Sequence, residues 1–177
     1  EWKEQNGWID IKDWEAIKEV NKDTTGLWFF NSGPLAGASQ PHRHIQLLRR
    51  DPLELSCPRE KWILDFNNIN YKNQRFCNNI IFRKFSKTLN EENIHQIYKD
   101  LSYKLGLGDP KVDKKPKYPY NLIFTNNWLL LIKRKKDNLY GISVNALGFA
   151  GYILVTEKSD INYLKKNGPE KLLENFL

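Results

Sequence analysis

Ile11, Trp14, Ile17 and Val20 recur every three residues, which places them on one face of a helix. Asp10 stands where an N-cap belongs, so the pattern predicts a helix over residues 10–22. The period then changes. Leu27, Trp28, Phe29 and Phe30 form an unbroken apolar and aromatic run that predicts a buried strand. Small residues at 31–40 (NSGPLAGASQ) read as a loop, and a second strand is expected from about 43 to 48. Pro41 at its entry costs no ladder hydrogen bond. Residues 51–58 look irregular, and 79–85 are apolar enough for another strand. Asn90 caps an expected helix to about residue 105, with Ile94, Ile97, Tyr98, Leu101 and Leu105 facing inward.

Residues 106–119, rich in Gly, Pro and Lys, are the natural boundary between two lobes. Beyond them, 120–125 and 128–132 read as strands joined by Asn126-Asn127, a pair suited to a tight hairpin turn. The small, apolar stretch 143–155 reads as partly strand, and Ser159 and Pro169 open two short helices. Helices and strands mix without regular alternation, which predicts an α+β fold with an antiparallel sheet.

A chain of 177 residues makes one domain, or two small lobes sharing a core. With 40% hydrophobic and 28% charged residues it has the composition of a soluble globular protein. No apolar run approaches the roughly 20 residues that span a bilayer. The polar start, Glu1-Trp2-Lys3-Glu4-Gln5, is not a secretory signal, so a cytoplasmic setting without a membrane partner is expected. Cys57 and Cys77 are far apart and in no Cys-x-x-Cys pair. They pair only in an oxidising compartment; the expectation is two idle thiols and no zinc site. No methionine occurs, even at position 1, which suggests a processed product or a fragment.

Lys and Arg number 28 against 21 for Asp and Glu, a balance that suits an anionic partner. The run at 111–117 (KVDKKPK) reads as solvated surface, whereas that at 133–136 (KRKK) directly follows an apolar strand and is better placed to meet phosphate. The aromatics sit inside apolar runs, as core residues do, which argues against RNA stacking and leaves no nucleic-acid partner expected.

The chemistry concentrates at Pro41-His42-Arg43-His44-Ile45-Gln46. On a strand, His42, His44 and Gln46 share one side, about 7 Å apart, and Arg43 and Ile45 point the other way. Same-face imidazoles serve either a metal or a nucleophile. A neutral imidazole attacks phosphorus when its other nitrogen is held protonated by an acceptor. The preceding loop suits phosphate: Gly33 and Gly37 admit a close backbone approach, consecutive N–H groups can cradle oxygens, and Ser39 and Gln40 add donors. His95, inside the second long helix, reads as structural.

Residues 29–46 (FFNSGPLAGASQPHRHIQ) closely resemble the active-site signature of ATP adenylyltransferases, the diadenosine tetraphosphate phosphorylases of the histidine-triad superfamily related to galactose-1-phosphate uridylyltransferases. Residues 142–151 (ISVNALGFAG) resemble that family's C-terminal signature, and a looser likeness runs over nearly the whole chain. The resemblance implies a histidine-triad-like antiparallel sheet flanked by helices. Residues 1–106 would be the catalytic lobe and 107–177 the C-terminal ATP adenylyltransferase lobe.

It further implies that His44 is the nucleophile, that His42 orients it, and that Gln46 binds the attacked phosphate beside Asn31, Gly37 and Ser39. Gln40, Ser143 and Asn145 join them as expected substrate-binding residues. The reaction would be reversible phosphorolysis of diadenosine tetraphosphate to ATP and ADP through adenylylated His44. The partners would be nucleotides and phosphate, with a homodimer as the expected assembly. No cofactor or metal is required, although a divalent cation such as Mg can accompany the polyphosphate.

Two features depart from the family pattern. Lys133-Arg134 stands where a Pro-Arg pair is usual, with Arg134 expected to keep the phosphate role. The chain also begins where the family's first helix would begin, without the strands that carry an Asn-Lys element. Three alternatives therefore stay open: a nucleotide-binding or regulatory protein without turnover, a hydrolase in which water discharges the intermediate, and, on net charge alone, a nucleic-acid-binding module.

Overall fold

The run at 27–30 lacks alternation because both of its faces are covered. In the computed structural model, which describes residues 2–66, 74–85 and 90–177, β1 (Gly26–Asn31) lies inside a sheet with β2 (Gln46–Arg49), β3 (Ile80–Lys84), β4 (Tyr120–Phe124) and β5 (Trp128–Lys133). The strand order is β2-β1-β4-β5-β3, and every pairing is antiparallel. β1 to β3 come from before the 106–119 connection and β4 and β5 from after it, so the two lobes share one sheet. The expected hairpin is present: Asn126-Asn127 joins β4 to β5, and Thr125 N–H donates to Trp128 O at 2.9 Å.

Side chains on a strand alternate between faces, and here they divide into two cores. Leu27, Phe29, Ile123, Trp128, Leu130 and Ile132 fill one face. It is covered by α2 (Glu60–Leu64), α3 (Gln74–Asn79), α5 (Ala146–Ala150) and α6 (Ile161–Glu174), which contribute Ile63, Phe76, Phe149 and Leu172. Trp28, Phe30, Leu122, Phe124, Leu129 and Leu131 fill the other, against Trp14, Ile17, Tyr98 and Leu101. Those last four come from α1 (Ile11–Asn21) and α4 (Glu91–Lys104). Burying side chains of this size contributes roughly 1.5–3 kcal/mol each, which makes the sheet the rigid base of the molecule.

The long helices start where their caps predict. Asp10 accepts from Lys12 N and Asp13 N, and the Asp13 carboxylate accepts from Asp10 N at 2.9 Å, completing a capping box. Asn90 accepts from Asn93 N at 2.8 Å. Near the C-terminus the cap is Asp160 rather than the expected Ser159, whose hydroxyl instead donates to Gly141 O at 3.0 Å. Gly168, at φ 77, breaks α6 just before Pro169, so two helical pieces follow as expected.

Two elements differ from the sequence pattern. The stretch 143–155 is strand only at its edge: β7 (Ile142–Ser143) pairs with β6 (Asn138–Leu139), and Asn145 then caps α5 by accepting from Leu147 N. The strand expected from residue 43 begins at Gln46, leaving His42 and His44 outside the β1–β2 ladder.

Candidate active site

His44 lies two residues before β2. Its Nδ1 is 3.0 Å from the backbone oxygen of His42. A carbonyl oxygen only accepts, so Nδ1 carries the hydrogen and the lone pair of the neutral ring sits on Nε2. The ring of His42 is beside it, with centroids 5.7 Å apart. The two imidazoles therefore come together without a continuous strand. Gln46 follows at the start of β2, half-buried and in register with Phe29.

What holds this segment is chain from the other end of the lobe. Arg43 N donates to Lys3 O at 2.7 Å and Gln5 N donates to Pro41 O at 2.9 Å, around a bridge between Glu4 and His42. The Arg43 guanidinium pairs with Asp13 at 2.7 Å. Lys3 reaches Asp10 and Asp13, so the first turn of α1 anchors the segment. Gln5 is the contact to His44 that the sequence does not reveal. Its side chain is 2% exposed, accepts from His44 N at 2.8 Å and donates to Asn31 O at 2.6 Å.

The small-residue loop turns tightly at Pro34–Ala36, and the N–H groups of Ala36, Gly37 and Ala38 donate to oxygens of Gly33 and Pro34. Those three amides point into the turn rather than outward, which corrects the expectation that they cradle an anion. Gly37, at φ +84, is required twice over. The backbone is left-handed there, and a Cβ would lie 2.6 Å from Cβ of Asn145. The loop thus packs directly on the segment that follows β7.

A buried polar network ties these pieces together. Asn31 Oδ1 accepts from Asn121 Nδ2 at 2.7 Å and from Ala146 N at 2.9 Å. Asn121 Nδ2 also donates to Ala36 O at 2.8 Å, and its Oδ1 accepts from Arg134. Arg134 is fully buried, donates to Lys136 O at 2.6 Å and Val144 O at 2.7 Å, and stacks against Phe149 and Phe176. Burial lowers its affinity for the proton from the ordinary value. The expected phosphate role of Arg134 does not fit this placement, because the guanidinium is enclosed and its Nη groups are spent on protein acceptors. Lys133 donates to Leu105 O at 3.4 Å.

The remaining candidates fall into two clefts. Ser39 and Gln40, both exposed, line one of about 410 Å³ with Trp2, Glu4, Gln5 and Lys115. Lys115 belongs to the basic run read as plain surface, yet it stands at this cleft and pairs with Glu4. Gly37, Ser143 and Asn145 line a second cleft, of about 560 Å³, with Tyr152 and Lys158. The loop from 33 to 41 runs between the two. Asn31 and Arg134 face neither cleft; they hold its walls.

The two sequence signatures thus meet in space, and comparison with known proteins bears on them directly. A model of the ATP adenylyltransferase C-terminal domain matches residues 62–176, and one of the Ap4A phosphorylase N-terminal domain matches residues 1–63. The chain belongs to the ATP adenylyltransferase family. Protein APA1 of Saccharomyces cerevisiae is 24% identical over 176 residues, covering 92% of this chain and 54% of that protein. The chain therefore spans about half the length of this curated relative. The fold is that of yeast Ap4A phosphorylase Apa2, matched over 100% of this chain and 64% of Apa2 with a TM-score of 0.63 and 17% identity. The structure titled as its complex with AMP matches with a TM-score of 0.64 and 19% identity, over 97% of this chain and 63% of that one. For the structure titled as its complex with Ap4A the values are 0.67 and 18%, over 99% and 64%.

Within this adenylyltransferase fold the other reactive groups stay out of the site. Cys57 is buried, Cys77 is exposed, and neither is in a disulfide. His95 is half-buried on α4, where desolvation lowers its pKa. Among the described residues, no group of three or more His, Cys, Asp or Glu is gathered to hold a metal ion, and no helix is long and apolar enough to cross a membrane.

Proposed function

We propose that this chain carries the nucleotidyl-transfer site of a diadenosine tetraphosphate phosphorylase, with His44 as nucleophile. The observation that carries the reading is the hydrogen bond from His44 Nδ1 to His42 O, which leaves an electron pair on Nε2. That pair attacks the α-phosphorus. A P–N bond forms, the bond to the bridging oxygen breaks, and ATP departs with the bonding electrons. No proton has to leave the ring, and the positive charge it gains is shared with the His42 carbonyl. Inorganic phosphate then attacks the same phosphorus, the P–N bond breaks, and ADP leaves with His44 neutral again.

Phosphoryl chemistry asks a protein mainly for position and charge. In this reading Ser39, Gln40 and Gln46 act as donors to the attacked phosphate, and Lys115 supplies positive charge along the first cleft. Gly37, Ser143 and Asn145 border the second cleft, on the far side of the loop, where the rest of a dinucleotide would extend. A divalent cation such as Mg enters this scheme only with the polyphosphate it neutralises. Two copies of the chain as a dimer complete the proposed assembly.

The test is product analysis with diadenosine tetraphosphate and phosphate. Equal amounts of ATP and ADP that require phosphate support phosphorolysis. AMP with ATP, or two molecules of ADP independent of phosphate, would indicate a hydrolase. Binding without products would indicate a nucleotide-binding protein.

A further inference from the structure

The β1–β2 ladder stops one step short of where its register leads. Gly26 pairs with Arg49, Leu27 with Leu48, Trp28 with Leu47 and Phe29 with Gln46; the same register continued would pair Asn31 with His44. In an antiparallel ladder every second pair exchanges hydrogen bonds. Arg50 N donates to Thr25 O at 3.1 Å, so Thr25–Arg50 is such a pair. Leu27–Leu48, Phe29–Gln46 and then Asn31–His44 follow at intervals of two. The next direct bond would therefore run from His44 N–H to Asn31 O.

The side chain of Gln5 occupies that step. Its Oε1 accepts from His44 N at 2.8 Å, its Nε2 donates to Asn31 O at 2.6 Å, and the same Nε2 lies 3.4 Å from His44 O. A glutamine amide carries the donor and acceptor of a peptide group, so it enters the ladder by insertion, taking up His44 N–H and Asn31 O while holding the two segments apart. Gln5 is itself held by its backbone bond to Pro41 O at 2.9 Å and is almost fully buried.

We infer that Gln5 is a positioning residue for the nucleophile: its amide wedges His44 away from β1 and fixes residues 42–44 in the curve that brings Nδ1 onto the His42 carbonyl. Without the wedge, His44 N–H and Asn31 O close on one another, the segment flattens into strand, and the two histidines take the separation of ordinary alternate residues. This role rests on the nucleotidyl-transfer reading of His44. Gln5 borders the first cleft, but its amide is engaged by Asn31 O and by the backbone of residue 44, through which it acts.

The test compares the parent chain with Gln5→Leu and Gln5→Glu. Two readouts are taken: the first-order rate and half-saturation of adenylyl transfer to His44, and the imidazole ¹⁵N spectrum of His44. Gln5→Leu is expected to slow transfer about 100-fold, with half-saturation little changed, and to mix the two neutral tautomers. In Gln5→Glu, a protonated carboxyl can accept from His44 N and donate to Asn31 O, whereas a carboxylate facing two carbonyl oxygens cannot. Burial and those oxygens raise the carboxyl pKa. Compared with the parent at each pH, this variant is thus expected to come nearest to parental transfer at the acid end of the range, and to fall progressively below it, with mixed neutral tautomers, as pH rises. Its titration also keeps the test open if Gln5→Leu fails to fold. Parental rates and tautomer in a folded Gln5→Leu, or a Gln5→Glu profile parallel to the parent's, would overturn the inference. If the parent forms no adduct, the transfer reading fails, and the tautomer spectra alone decide whether Gln5 positions the ring.

Discussion

The backbone oxygen of His42, rather than its ring, is the acceptor 3.0 Å from Nδ1 of His44. The contribution of residue 42 divides accordingly. Its carbonyl sets the tautomer of the His44 ring, and its imidazole stands beside that ring, the centroids 5.7 Å apart.

A His42→Ala variant keeps the carbonyl and loses only the ring. It is expected to retain the His44 adduct but form it about 10- to 100-fold more slowly, with the His44 tautomer unchanged. Rapid-quench mass measurement, read beside the imidazole spectrum, checks both halves.

Arg134 separates structure from catalysis in another way. An Arg134→Leu variant leaves Val144 O, Lys136 O and Asn121 without their charged donor. Urea unfolding is expected to show a loss of about 3–5 kcal/mol. A variant that kept parental stability but bound nucleotide weakly would instead return Arg134 to the phosphate role that the sequence suggested.

The long helices α1 and α4 and the hairpin were legible in the sequence because their causes are local. Asp10 and Asn90 are caps followed by three-residue periodicity, and Asn126-Asn127 is a turn between apolar runs. The meeting of His42 and His44 was legible for the same reason, the two being separated by one residue. Distant contacts were not. The Lys133-Arg134-Lys135-Lys136 run reads as a phosphate-facing patch, yet three acceptors from residues 121, 136 and 144 gather around Arg134 inside the fold. The strand through His44 failed because an amide from position 5 enters the ladder, 39 residues away in the chain. Nothing in the local pattern of either segment announces its partner.

Cys57 gives a pH prediction. Desolvation pushes its thiol from 9.0 to about 11. The folded chain therefore keeps this proton where the unfolded chain has lost it, and ionisation favours the unfolded state as pH rises. The Cys57 contribution is fully present below about pH 9 and is lost between about 9 and 11, on the order of 2 kcal/mol. Unfolding of a Cys57→Ala variant should lack this slope. Equal slopes for parent and variant would assign the alkaline loss to other groups.

The central claim is that His44 is the nucleophile, and the most direct test is intact mass after mixing with diadenosine tetraphosphate without phosphate. The account predicts one adenylyl group on the parent chain, none on His44→Ala, and discharge of the parent's adduct as ADP when phosphate is added. A folded parent that binds the dinucleotide but stays unmodified, or an equal adduct on His44→Ala, would contradict it.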